Sequence, residues 1–146
     1  ACRPAGVAGT SVHHSRPIAP LAGRTARPQS ASRMRATLPA MYVPKITQDT
    51  VNQLDIDFHV ELAEAGGNRL MCDMTRAIRE SVRIPFLAAV NAMPKAGKHS
   101  WPRILDGLRA EHHAVFSAVE GGRGEQAADL LESHIRGFYE NLTTAT

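Results

Sequence analysis

The sequence predicts an all-α fold, an antiparallel helical bundle. Three observations point there. Hydrophobic residues make up 43% of the chain, yet only 5% of it is aromatic, and strand-type runs of Val, Ile, Thr and Tyr are scarce. Apolar residues recur every three or four positions in five segments. Gly and Pro clusters separate those segments at spacings suited to short connections. At 146 residues the chain has room for one ordinary core.

Residues 1–30 are rich in Pro, Gly, Ser, Ala and Arg and show neither a helical nor a strand period, so irregular coil is expected there. A first helix is expected over "SASRMRATLPAM", where Met34, Leu38 and Met41 share a face. Ser30 or Ser32 is available to cap it, and Pro39 limits it. The second, best-marked helix carries Val51, Leu54, Phe58, Leu62 and Ala65, and Gly66-Gly67 supplies a stop that tolerates left-handed backbone. A third is expected from about Asn68 to Asn91 through Leu70, Met71, Met74, Ile78 and Val82, with Pro85 kinking or splitting it. The fourth begins near Pro102 and carries Ile104, Leu105, Leu108, His112, Val115 and Val119 up to "EGGRG". The fifth runs from Gly124 through Ala127, Leu130, Leu131, His134, Ile135, Phe138 and Leu142. The expected organisation is an irregular basic segment over 1–26 and a helical domain over 27–146.

Charge divides unevenly. Six of the 17 basic residues and none of the 14 acidic ones lie in residues 1–40, which leaves 11 basic against 14 acidic residues in the rest. The basic character therefore belongs to the N-terminal segment, and the bundle itself is slightly acidic. No run of 18 apolar residues exists, so no membrane span is expected. Two distant cysteines, Cys2 and Cys72, make no disulfide framework, which suits a reducing cytoplasm; Cys72 reads as a small core residue. "GGRG" lacks the Lys and the preceding strand of a phosphate cradle.

The chemistry concentrates on polar residues set into apolar stripes. Asp55 and His59 lie four residues apart, one above the other on the second helix. His112 sits one turn from Leu108 and Val115, and His134 lies between Leu131 and Phe138. A carboxylate facing a dry core costs several kcal/mol unless it is paired. A divalent transition metal such as Zn, Ni or Mn satisfies one carboxylate and three neutral imidazoles together and leaves coordination positions for water or a ligand oxygen. The alternative is ordinary hydrogen-bonded core histidines. His113 points about 100° away from His112 around the helix and reads as solvated or as an outer partner. His13, His14 and His99 fall in expected coil.

"DIDFHVELAEAGGNRL", "EHHAVFSAVEGG" and "AADLLESHI", in that order, resemble the successive signatures of the FCD domain, the C-terminal effector-binding domain of GntR-family transcription regulators of the FadR type. The resemblance covers roughly residues 27–140. It implies an antiparallel helical bundle that dimerises around a central metal and ligand cavity. It implies metal ligands at Asp55, His59, His112 and His134, the four that the stripes select, and a small carboxylate effector held by the metal. It further implies a helix-capping and pocket role for Asn68. On the third helix, Arg76 or Arg79 is expected to offer a guanidinium to the effector carboxylate, the alternative for each being a solvated face. The winged helix-turn-helix domain that precedes such bundles is missing from the chain, so DNA binding is expected only through a longer parent protein. The family's first bundle helix is also not evident in residues 1–26.

The expected function is thus a metal- and ligand-sensing regulator domain, not an enzyme, homodimeric and cytoplasmic. Two alternatives remain: a metal-dependent hydrolase or oxygenase using the same Asp/His site with Glu111 or His113 as base, and a dimerisation module whose histidines merely pack.

Overall fold

Proline presets φ for a first helical turn, and Pro28 opens α1, Pro28–Ala40. Residues 28–30, expected in coil, are therefore helical, and Ser30 is no cap: it is buried inside the helix, its hydroxyl accepting from Arg33 at 3.4 Å. α2, Gln48–Ala65, starts at Thr47, whose side chain accepts from the Thr50 backbone N–H at 3.1 Å. It ends at Gly66-Gly67, where Gly67 takes φ +73° and donates its N–H to the Glu64 carbonyl. α3 spans Arg69–Ala92, α4 Trp101–Glu120 with Pro102 in its first turn, and α5 Gly124–Thr144. The computed structural model describes residues 28–67, 69–97 and 100–144; the expectations for residues 1–27, Asn68 and His99 lie outside these.

Among the described residues there are five helices and no strand, an all-α bundle. α2 packs most extensively against α3 and α1, α5 pairs with α4, and α1 closes onto α4. The core lies between them. Met34 and Leu38 of α1 meet Phe58 and Leu62 of α2, Val115 and Val119 of α4, and Ala127 and Leu131 of α5. Burying each large side chain there contributes about 1.5–3 kcal/mol. α3 and α5 touch only slightly, and a gap remains between them.

Two expectations for α3 need correcting. Of the kink or split expected at Pro85, the split does not occur, since the helix runs unbroken from Arg69 to Ala92. Pro85 removes the N–H that would reach the Ser81 carbonyl, and both residues are exposed, so water can serve that carbonyl. The inward face also differs from the expected stripe: Leu70 is 66% and Ile78 45% exposed, whereas Cys72, Arg79, Phe86 and Val90 are buried. A charged residue occupies the inward row because a buried carboxylate on α2 faces it.

Candidate metal centre

The second, fourth and fifth helices each bring part of one polar cluster into the core. Asp55 and His59 share the α2 face that also carries Phe58 and Leu62, so packing that stripe buries both polar groups. His112 enters from α4 and His134 from α5, and one ligand atom from each of the four residues lies within 4.8 Å of every other. The His112 Nε2 and Asp55 Oδ1 atoms are 3.1 Å apart, and His59 Nε2 lies 3.5 Å from the same oxygen. His134 Nε2 lies 3.1 Å from His59 Nε2 and 3.9 Å from Asp55 Oδ1. Phe58 meets the His112 ring edge-on at 4.6 Å and excludes water from that side.

The outer nitrogens settle which way the rings present their lone pairs. His112 Nδ1 donates to the Leu108 carbonyl at 2.7 Å, and His134 Nδ1 donates to Glu111 Oε2 at 2.7 Å. A neutral imidazole protonated at Nδ1 has a bare lone pair at Nε2. Both Nε2 atoms therefore face the cluster as acceptors. Opposite them stands Asp55, whose Oδ2 accepts from Arg79 Nη1 at 2.9 Å while its Oδ1 points inward.

Electrostatics reinforce this protonation. Burial opposes the Asp55 charge, but the polar surroundings, the Arg79 guanidinium foremost, outweigh it and hold the carboxyl well below the usual range. Burial, and then the nearby Arg79 charge, push His59 well below the ordinary histidine value of 6.5. Burial likewise lowers His134, although Glu111 pulls the other way. The result is one carboxylate and neutral rings at His59 and His134, the ionisation that metal ligation needs.

A metal ion fits the orphaned atoms. Asp55 Oδ1 and His112 Nε2 are both buried without a hydrogen-bond partner, and no proton is available to join them because His112 Nε2 is bare. Two acceptors 3.1 Å apart in a dry core cost about 1–3 kcal/mol each when unpaired. A cation among the four atoms removes that cost. The carboxylate–imidazole pair Glu111–His134 matches the outer hydrogen bonding that orients metal-bound histidines.

A cavity of about 160 Å³ adjoins the cluster, bounded by His59 and Arg79 and by Leu62, Met71, Met74, Thr75, Ile78, Leu131, Ile135 and Tyr139. Of the two arginines considered from the sequence, Arg79 is buried at this cavity and Arg76 is exposed away from it. His113 is exposed, its ring 5.9 Å from that of Tyr42, and takes no part in the cluster. Cys72 is buried in the apolar core as expected. Glu111 was not singled out as a partner of His134, since the two stand on different helices and no spacing pairs them. The one available signal was its position beside His112.

A family model described as the FCD domain matches residues 16–137 of the chain. None of the curated proteins matches it.

Proposed function

The chain belongs to the FCD family, the C-terminal domain of GntR-family regulators, and from that premise we propose that it senses a small carboxylate through a metal held by Asp55, His59, His112 and His134. The observation that carries this reading is the convergence of four buried ligand atoms, two of them without any hydrogen-bond partner, beside a cavity that bears a buried arginine. Zn, Ni or Mn suits this donor set. Bound there, the metal supplies positive charge and an open coordination position for a carboxylate oxygen. With Asp55 and Arg79 neutralising one another, a divalent ion leaves the site with a net positive charge, which favours an anionic ligand.

The protein's own groups do the rest. Arg79 engages Asp55 through Nη1 and has further N–H groups with which to pair a carboxylate at the cavity wall. Glu111 and the Leu108 carbonyl fix the rings of His134 and His112, so the ligand atoms are oriented before anything binds. Asn68 is proposed as a further ligand contact from the family resemblance alone. Filling the cavity ties α2, α3 and α5 together across the gap between α3 and α5. In a homodimeric, cytoplasmic parent regulator this rigidification shifts the spacing of two attached DNA-binding domains. The effector-binding domain is taken as residues 27–146.

Support for regulation over catalysis comes from the candidate bases: Glu111 is engaged with His134 Nδ1, and His113 is turned to solvent beside Tyr42. Among the described residues no helix is long and apolar enough to cross a membrane. Metal analysis of the purified chain tests the proposal. Wild type is expected to retain about one transition metal per chain and a His112→Ala plus His134→Ala variant none; equal metal in both contradicts it.

A further inference from the structure

The wall of the cavity beside the cluster is mostly apolar. Arg79 and His59 mark the end next to Asp55, while Met71, Met74, Ile78, Leu131 and Ile135 form most of the remainder. Thr75 and the Tyr139 phenol are the other polar side-chain groups among the described lining residues. Such a wall rewards an apolar tail and penalises a hydroxylated one, because each hydroxyl buried against it gives up hydrogen bonds to water. The cavity's volume of about 160 Å³ is close to the ~150 Å³ of an apolar cavity that holds benzene, so it accommodates about six carbon atoms. Beyond that size a ligand reaches the rim, where Ile78 and Tyr139 are 45% and 43% exposed.

Resting on the reading of Arg79 and the metal cluster as the anion end of the site, we infer that the effector is a monocarboxylate with an apolar tail of about six carbons, alkyl or aryl, and not a polyhydroxy acid. The two methionines favour either tail, being flexible enough to follow an alkyl chain and polarisable enough to lie against a ring. Each methylene drawn into the cavity strengthens binding about fourfold. From acetate to hexanoate the affinity therefore rises on the order of a hundredfold, and it levels off once longer tails leave the cavity.

Calorimetric titration of the full chain, with and without one equivalent of Zn²⁺, tests this using acetate, butyrate, hexanoate, decanoate, phenylacetate and gluconate. The expected result is a stepwise rise up to hexanoate, a plateau beyond it, phenylacetate comparable with hexanoate, and gluconate no tighter than acetate. Ile78→Ser, at a half-exposed position that does not threaten the fold, is expected to weaken hexanoate roughly tenfold and leave acetate unchanged, as expected for loss of one to two carbons of apolar contact. Gluconate binding as tightly as hexanoate, or a flat alkyl series, overturns the inference about the tail while the anion end stands. Failure of every carboxylate to bind, zinc-loaded or not, overturns both.

Discussion

Replacing Glu111 separates the role of orienting a metal ligand from the role of holding the fold together. The carboxylate touches the cluster only through His134 Nδ1, at 2.7 Å, and its side chain is 48% exposed. A hydrogen bond to so accessible a group contributes about 1 kcal/mol or less to stability, because water competes for both partners. Metal affinity has more to lose. Without the acceptor at Nδ1, the His134 proton is free to move to Nε2, where it blocks the lone pair that faces the cluster. Removing such an outer carboxylate typically lowers metal affinity 10–100-fold. Glu111→Ala is thus expected to weaken Zn²⁺ binding within that range in a competition titration against a chromophoric chelator, with the melting temperature of the metal-free protein falling by no more than a few degrees. Glu111→Gln, which keeps an acceptor oxygen but not the charge, should recover part of the affinity. If Glu111→Ala binds zinc within twofold of wild type, the orienting role is refuted; if the metal-free variant fails to fold, the division between orientation and stability is wrong.

Other outcomes follow from the same geometry. Arg79→Ala leaves the buried Asp55 carboxylate without its cation and should destabilise the metal-free chain by about 3–5 kcal/mol in chemical denaturation. Zn²⁺ at a hundredfold excess over its dissociation constant should stabilise wild type by about 2.7 kcal/mol, read from the melting curve; an unchanged curve favours histidines that merely pack. His59 and His134 are held below 6.5 in the folded chain, so the unfolded chain takes up protons first as pH falls. Stability of the metal-free protein is therefore complete above pH 6.5 and declines below it, by up to about 1.4 kcal/mol per pH unit for each ring that stays neutral. Denaturant midpoints at pH 7.5, 6.5 and 5.5 check this. Gly67→Ala, at φ +73°, should cost about 1 kcal/mol by straining the α2 stop, as a change in the denaturant midpoint would show.

What the chain revealed in advance was the part written in periodicity. The stripes on α2, α4 and α5 place Asp55, His59, His112 and His134 on inward faces, and those four residues do converge. α3 misled because its apolar count exceeds what the bundle buries. Leu70 and Ile78 look like core residues, yet the inward row runs through Cys72, Arg79 and Phe86. An arginine is assigned to the surface by its charge, and only the position of Asp55 across the helix pair makes its burial favourable. Glu111 was hidden for a similar reason: its partner stands 23 residues away on another helix. Ser30 shows the limit at helix ends, where a proline two residues earlier starts the turn and moves an apparent cap inside.

X-ray absorption at the zinc edge of the zinc-loaded chain tests the central claim most directly. The account predicts one zinc bound by three imidazole nitrogens at about 2.0–2.1 Å, with carboxylate and exchangeable oxygen ligands completing the shell. Fewer than three imidazoles, or a sulfur ligand near 2.3 Å, would contradict it.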